Sequence, residues 1–366
     1  MVKENRLLDY CVFVTFFPHL IAGPILHHRE MMPQFASPVT FRFRWENMAV
    51  GFTLFTIGLA KKVLIADNLI WNINLAFGAG KPGLLAAWDG ALSYSLQLYF
   101  DFSGYSDMAC GLAILFGMRF PANFNSPYRA ESIIDFWQRW HMTLTRYLTL
   151  YLYNPVALGV SRRRLAQGKS VSRKAIATPS GFLSMIAFPT YYTMALAGIW
   201  HGAGLTFLIF GLLHATYLTI NHAWRSFGPR IIDRVMHPVI AFLVTCGKIA
   251  LTYLAVVVAQ VVFRSPSVHE AGSFLAGMAG MHGFSGYQGG HTHLVVLMAL
   301  FLIVWTMPNS LQILDRFKPT LTEIKTTSLI SFSFRPTIAW GIAAGALAAV
   351  LLLVMNGTTE FLYFRF

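Results

Sequence analysis

The feature that most limits how this chain can fold is a series of long apolar runs separated by short basic loops. A helix rises about 1.5 Å per residue and must cross about 30 Å of hydrocarbon, so an apolar run of about 20 residues is one membrane crossing. Runs at 48–66, 84–100, 103–118, 181–200, 204–224, 238–263, 293–307 and 338–355 are the predicted spans. The predicted fold class is therefore all-α, a polytopic membrane protein. Charged residues are 12% of the chain, about half of the roughly 25% usual in soluble domains, which argues against an ordinary cytosolic enzyme.

The net charge of +13 sits largely in loops. Loop 161–174 carries Arg162, Arg163, Arg164, Lys169, Arg173 and Lys174 with no acid, and basic loops stay in the cytoplasm. Alternation then places Arg225, Arg230 and Arg234 inside, loop 264–292 outside, Arg316, Lys318, Lys325 and Arg335 inside, and the C-terminus outside. The lipid bilayer thus accounts for the cations, and no nucleic-acid partner is predicted. Cys11, Cys110 and Cys246 are odd in number and widely spaced, so they are expected as reduced thiols rather than a disulfide or metal framework. The N-terminus runs into an apolar stretch broken by Pro18, Gly23 and Pro24 and has no signal-peptide cleavage site. Gly341 and Gly345 have the small-xxx-small spacing of close helix packing. Asp101, Ser103, Ser106 and Asp107 lie between apolar neighbours, which predicts helices broken inside protein rather than facing lipid.

No dinucleotide fingerprint, phosphate loop, nucleophile elbow or zinc-protease motif is present. The chemical candidates are ionisable groups in apolar surroundings, and two share a local pattern: Trp140-His141 and Trp200-His201. Segment 132–153 reads as an amphipathic helix with Trp137, His141, Leu144 and Leu148 on the face opposite Asp135, Arg139 and Arg146. His201 ends an apolar run among Gly198, Gly202, Ala203 and Gly204, which suits a helix break beside a cavity. An imidazole, with an ordinary pKa of roughly 6.5, suits proton abstraction near neutral pH. Spacing alone equally allows a buried histidine on a backbone carbonyl at 141 and an interfacial histidine at a tight turn at 201. His214 lies either in the same cavity or in a helix contact, and His222 follows it. The pairs His27, His28 and His291, His293 lack a carboxylate or thiolate partner in sequence and read as solvated surface, so no metal site is predicted.

The stretch LQLYFDFSGYSDMACGLAILFGMRFPANFNSPYRAESIIDFWQRWHMTLTRYLTLYLY at 96–153 resembles the signature region of the membrane-bound O-acyltransferases, in the branch of bacterial alginate O-acetyltransferases. FPHLIAGPI at 17–25, GLAKKVLIADNL at 58–69, GIWHGAGLTFLIFGLLHA at 198–215, VVFR at 261–264 and FLYFRF at 361–366 extend the likeness in order. The resemblance implies one domain over 1–366, with tilted and broken helices ringed around a tunnel joining the two membrane faces. It places the family's W-H-G histidine on His201 and its R-W-H histidine on His141. His201 is expected as general base, and His141 as a group that orients the reactants or hydrogen-bonds the oxyanion. The implied donor is a cytoplasmic acyl thioester, acetyl-CoA or an acyl carrier, with no permanently bound cofactor. The implied acceptor is an exported polysaccharide, alginate or a related polymer such as cellulose, with a periplasmic acetyltransferase-type partner, at the bacterial inner (cytoplasmic) membrane. D-alanyl transfer to teichoic acid, acylation of a lipid, and a non-catalytic transporter or scaffold are the alternatives. The motif at 17–25 begins so early that the family's usual upstream spans are expected to be missing, through truncation or an internal start. After Tyr153 the chain reads NPVALGVSRRR where the family tends to a Gly-Gly-Asn-Arg loop, so donor-side contacts do not carry over.

Overall fold

In a computed structural model, residues 7–20, 23–228, 237–284, 289–324 and 328–355 are described, and their regular structure is helical apart from one isolated bridge between Phe120 and Thr320. Helices α1 (Leu7–Thr15) and α2 (His28–Phe35) precede α3 (Trp45–Ala60), which continues through a widened π-type turn at Lys61–Ala66 into α4 (Asp67–Gly78). Helix α5 (Leu84–Leu115) returns alongside. Short pieces follow: α6 (Ile133–Trp137), α7 (Met142–Leu148) and α8 (Asn154–Ala166), then α9 (Arg173–Ile176) and α10 (Pro179–Phe182). The long α11 (Phe188–His201), α12 (Leu205–Phe227) and α13 (Pro238–Arg264) come next. Helices α14 (Val268–Met278), α15 (Gly290–Thr306), α16 (Ser310–Ile313) and α17 (Ile338–Val354) complete the fold.

Four helical stretches, Trp45–Gly78, Pro179–His201, Leu205–Phe227 and Pro238–Arg264, are long and apolar enough to cross a membrane, and Gly290–Thr306 and Ile338–Val354 are shorter apolar helices. The protein is a polytopic, all-α membrane protein. The separate spans expected at 84–100 and 103–118 are one 32-residue helix, α5, about 48 Å long at 1.5 Å per residue. The polar residues that suggested a break are buried within it, and two of its acids are ion-paired. Lys61 Nζ lies 2.6 Å from Asp107, and Lys62 Nζ lies 2.8 Å from both Asp101 and Asp67. Ser310 Oγ donates to Asp107 at 2.6 Å. A carboxylate in hydrocarbon is costly only until a cation and donors surround it, and here they do.

Close packing brings these charges together. A Cβ added at Gly58 would come within 2.5 Å of the Gly104 carbonyl oxygen, and one at Gly111 within 2.7 Å of the Gly51 carbonyl oxygen. The two glycine pairs sit two turns apart on α3 and α5 and let the antiparallel backbones touch. Gly341 and Gly345, expected to do this on α17, have nothing within 4 Å of an added Cβ among the described residues.

The two ends of α5 hold different loops. At one end Leu84 N–H donates to Gly283 O at 2.8 Å and Ser273 Oγ to Gly80 O at 2.7 Å. At the other, Leu321 N–H donates to Phe120 O at 2.9 Å and Arg119 Nε to Lys318 O at 3.1 Å. Ser273 and Gly283 therefore lie near one end of α5, and Lys318 and Leu321 near the other. Arg230, Arg234, Lys325, Ile21, Ala22 and the closing FLYFRF lie outside the described residues. The three cysteines are free thiols.

Replacing Lys62 by Met strands the Asp101 carboxylate, whose side chain is 1% exposed. A loss of about 3–5 kcal/mol is expected, since breaking a buried pair leaves an uncompensated charge. Denaturant titration of the detergent-solubilised protein checks this, and the double variant Lys62→Met with Asp101→Asn is expected to recover part of the loss.

Candidate active site

Segment 132–153 is not the single helix its periodicity suggests. It breaks after Trp137 and restarts at Met142, with His141 at the restart in the left-handed region at φ 42°. The break is imposed from outside. Asn125 N–H takes the Arg139 carbonyl and Met142 N–H gives to the Asn123 carbonyl, both at 2.9 Å, so an extended strap at 120–126 holds the backbone that would have continued the helix. A non-glycine residue held at positive φ costs about 1–3 kcal/mol and persists only where the surroundings demand it. The result is an imidazole, 5% exposed, turned inward with the Phe102 ring 4.7 Å away in an edge contact.

A chain of hydrogen bonds fixes that ring. Ile25 N–H donates to Thr143 Oγ1 at 3.1 Å, so the threonine hydroxyl donates onward to Asn123 Oδ1 at 2.9 Å, and Asn123 Nδ2 donates to Ser106 Oγ at 3.0 Å. With the amide oxygen thus assigned, His141 Nδ1, 2.9 Å from the same oxygen, carries the proton and donates. The lone pair is left on Nε2. Asn123 has no sequence signal of its own beyond its place in the FPANFNSP portion of the long motif. The charged residues of the same segment are occupied elsewhere, Arg139 with Asp135 at 2.8 Å and Arg146 with Glu30 at 2.5 Å.

His201 closes α11, and the Gly202-Ala203-Gly204 link lets the chain reverse directly into α12. The two helices nearly touch: a Cβ at Gly211 would lie 2.2 Å from Met194 O, and one at Gly198 2.4 Å from Phe207 O. His201 meets Phe263, from the end of α13, at 5.2 Å and Phe210 at 6.0 Å, both edge-on. Phe263 was legible only as part of the VVFR motif. His214, one of the two placements left open by sequence, belongs to the cavity. It is 1% exposed, and its Nδ1 accepts from Trp137 Nε1 at 3.2 Å.

His141, His201 and His214 line one chamber of about 60 Å³, walled otherwise by apolar groups such as Phe102, Phe136, Phe263 and Val256, with Gln260 as a further polar lining residue. Two further cavities adjoin it, and Trp137 lines all three. One is rich in threonine, with Thr145, Thr149, Thr190 and Thr193, and includes His222. The remaining histidines lie apart from the chamber. His27 Nδ1 is 3.4 Å from the Tyr151 hydroxyl, and His291 is exposed. His293, expected at a solvated surface, is instead drawn inside, its Nε2 3.1 Å from both Asp89 and Ser93. Among the described residues, no three His, Cys, Asp or Glu side chains converge as a metal site.

The fold and site define a multi-pass membrane protein with an apolar-walled, histidine-bearing chamber. Comparison with known proteins gives it a family. The sequence model of the membrane-bound O-acyltransferase family matches residues 3–237, and the chain belongs to that family. It is 43% identical over 278 residues to a peptidoglycan O-acetyltransferase of Helicobacter pylori, covering 75% of this chain and 47% of that protein. It is 38% identical over 271 residues to a "Probable alginate O-acetylase AlgI" of Pseudomonas aeruginosa, covering 73% and 45%. A teichoic acid D-alanyltransferase of Bacillus subtilis matches at 28% over 236 residues, covering 63% and 55%. The chain spans about half the length of these curated relatives.

Gly211→Ala sets a methyl group against backbone, which cannot rotate away. A loss of about 1–3 kcal/mol is expected. Gly341→Ala, with open space around its Cβ, is expected to be silent in the same unfolding titration.

Proposed function

We propose that this chain is an integral-membrane O-acyltransferase of the bacterial inner membrane that passes an acetyl group from a cytoplasmic thioester to a hydroxyl of an exported polysaccharide. The observation that carries this reading is the convergence of His141 and His201, distant in sequence, on one apolar chamber. The family match and the names of the relatives at 43% and 38% identity support it, one acting on peptidoglycan by its name and the other on alginate. A polymer of either kind fits, and the acceptor is taken as an alginate-like or peptidoglycan glycan.

In the reaction, a hydroxyl oxygen of the acceptor attacks the thioester carbonyl carbon. His201 takes the hydroxyl proton, a role worth about 10²- to 10⁴-fold in rate. His141, with its Nε2 lone pair facing the chamber, accepts a hydrogen bond from the acceptor and orients it. As the tetrahedral centre collapses, the carbon–sulfur bond breaks and the thiolate receives the proton, leaving an ester and a free thiol. The donor, acetyl-CoA or an acyl carrier, is a substrate, and no resident cofactor takes part. Donor and acceptor meet through a tunnel from opposite faces, because neither a sugar nor a thioester head crosses about 30 Å of hydrocarbon unaided. A periplasmic acetyltransferase-type partner receives or completes the transfer outside. The D-alanyltransferase relative, at 28% identity, favours a second reading with the same ester-forming step and a different acyl group.

Membranes carrying the full chain, given radiolabelled acetyl-CoA and polysaccharide acceptor, are expected to form ester and free thiol together. His201→Ala is expected to lower this by at least 10²-fold with membrane insertion unchanged. Unchanged transfer in that variant would remove His201 as the base. Absence of both ester and free thiol in the unaltered protein would favour a scaffold or transporter.

A further inference from the structure

The chamber holds a third imidazole that the proposed reaction has not used. His214 sits on α12 with its ring stacked on Phe136, at 7° between planes, and edge-on to Phe210 and Trp137. An indole N–H only donates, so Trp137 Nε1, at 3.2 Å, requires His214 Nδ1 to be the acceptor. A neutral imidazole has one proton, which then sits on Nε2. Among the described residues, Nε2 of His214 has no protein partner, and the ring lines the chamber. The fixed tautomer is the opposite of that at His141, where Asn123 Oδ1 draws the proton to Nδ1 and leaves Nε2 as an acceptor. One chamber therefore has an acceptor nitrogen and a donor nitrogen, each set by its own partner.

A donor aimed into an apolar chamber loses free energy until an oxygen sits opposite it. The oxygen that gains most from such a donor is one that becomes negative during the reaction. We infer that His214 Nε2–H is a hydrogen-bond donor to the thioester carbonyl oxygen, holding the oxyanion formed when the acceptor hydroxyl attacks. This rests on the acyltransferase reading above. The proton balance is unaffected: the hydroxyl proton travels through His201 to the departing thiolate, the carbon–oxygen bond forms as the carbon–sulfur bond breaks, and the His214 proton stays on its nitrogen. Trp137 is then a positioning residue, acting through the ring whose tautomer it sets.

Two measurements test this. In acetyl transfer by the full chain, His214→Phe is expected to lower kcat by about 10²- to 10³-fold, the usual cost of one oxyanion donor. His214→Gln, whose terminal amide places an N–H near the Nε2 position, is expected to recover at least tenfold of that loss. Trp137→Phe, which keeps a ring and deletes the N–H, should fall between the unaltered protein and His214→Phe. A packing role predicts the reverse order, because Phe fits an aromatic pocket better than Gln does. Retention of kcat in His214→Phe, or Gln no better than Phe, overturns the proposal. The second measurement needs no turnover: nitrogen-15 NMR of histidine-labelled protein in lipid nanodiscs, assigned by His214→Gln. The proton is expected on Nε2 of His214, with that preference weakened by Trp137→Phe. A proton on Nδ1 would overturn the donor role, whereas the expected tautomer without any acetyl transfer in the unaltered protein would count against the acyltransferase reading instead.

Discussion

Two lysines placed against acids in the interior of a membrane protein are the constraint on which the rest of this structure depends. Lys61 and Lys62 reach Asp107 and Asp101 only because Gly51, Gly58, Gly104 and Gly111 let α3 and α5 approach to backbone contact. In hydrocarbon there is no water to take over if those partners separate, so the two helices are locked in one register. The locked α5 is a rigid post. Its Asp101 and Gly104 face α3, while Leu98 and Phe102, four positions apart on another face, form part of the chamber wall. Charge pairing on one side of the helix thus positions apolar surface on the other.

The chamber is assembled by breaks rather than by continuous helices. His141 stands where the strap at 120–126 takes the backbone hydrogen bonds of α6 and α7, and His201 stands where glycine ends α11. At such ends the side chain is aimed by cap geometry and by outside partners, which suits groups that must hold one orientation. Asn123 and Trp137 do the same for the ring protons, one as acceptor and one as donor. The surrounding phenylalanines bury these few polar contacts among apolar groups, where each is stronger than it would be in water.

The sequence made much of this legible where the signal was local. Helices α12, α13, α15 and α17 follow their apolar runs closely, because each run is uniform enough to define its own ends. The reading failed at α5, where Asp101 and Asp107 looked like a break. Their partners lie some forty positions earlier, beyond any local window. It failed again at 132–153, where the helical wheel assumed a continuous helix and the interrupting bonds come from Asn123 and Asn125. His141 and His201 were identified by motif rather than by spacing, which left each with a second reading. His214 needed the ring of Trp137, on a different helix, before its place in the chamber could be stated. His293 was misplaced because its partners, Asp89 and Ser93, are likewise remote in sequence.

What unites these observations is that His141 and His201 line one apolar chamber, the place proposed for ester formation. The most direct measurement is a structure of the full chain in lipid nanodiscs with a non-hydrolysable thioether analogue of acetyl-CoA. The account predicts the acetyl carbonyl in the chamber between the His141 and His201 rings, with the arm of the donor leading toward the cytoplasmic face. An analogue bound elsewhere, or two rings opening on separate surfaces with no passage between them, would contradict it.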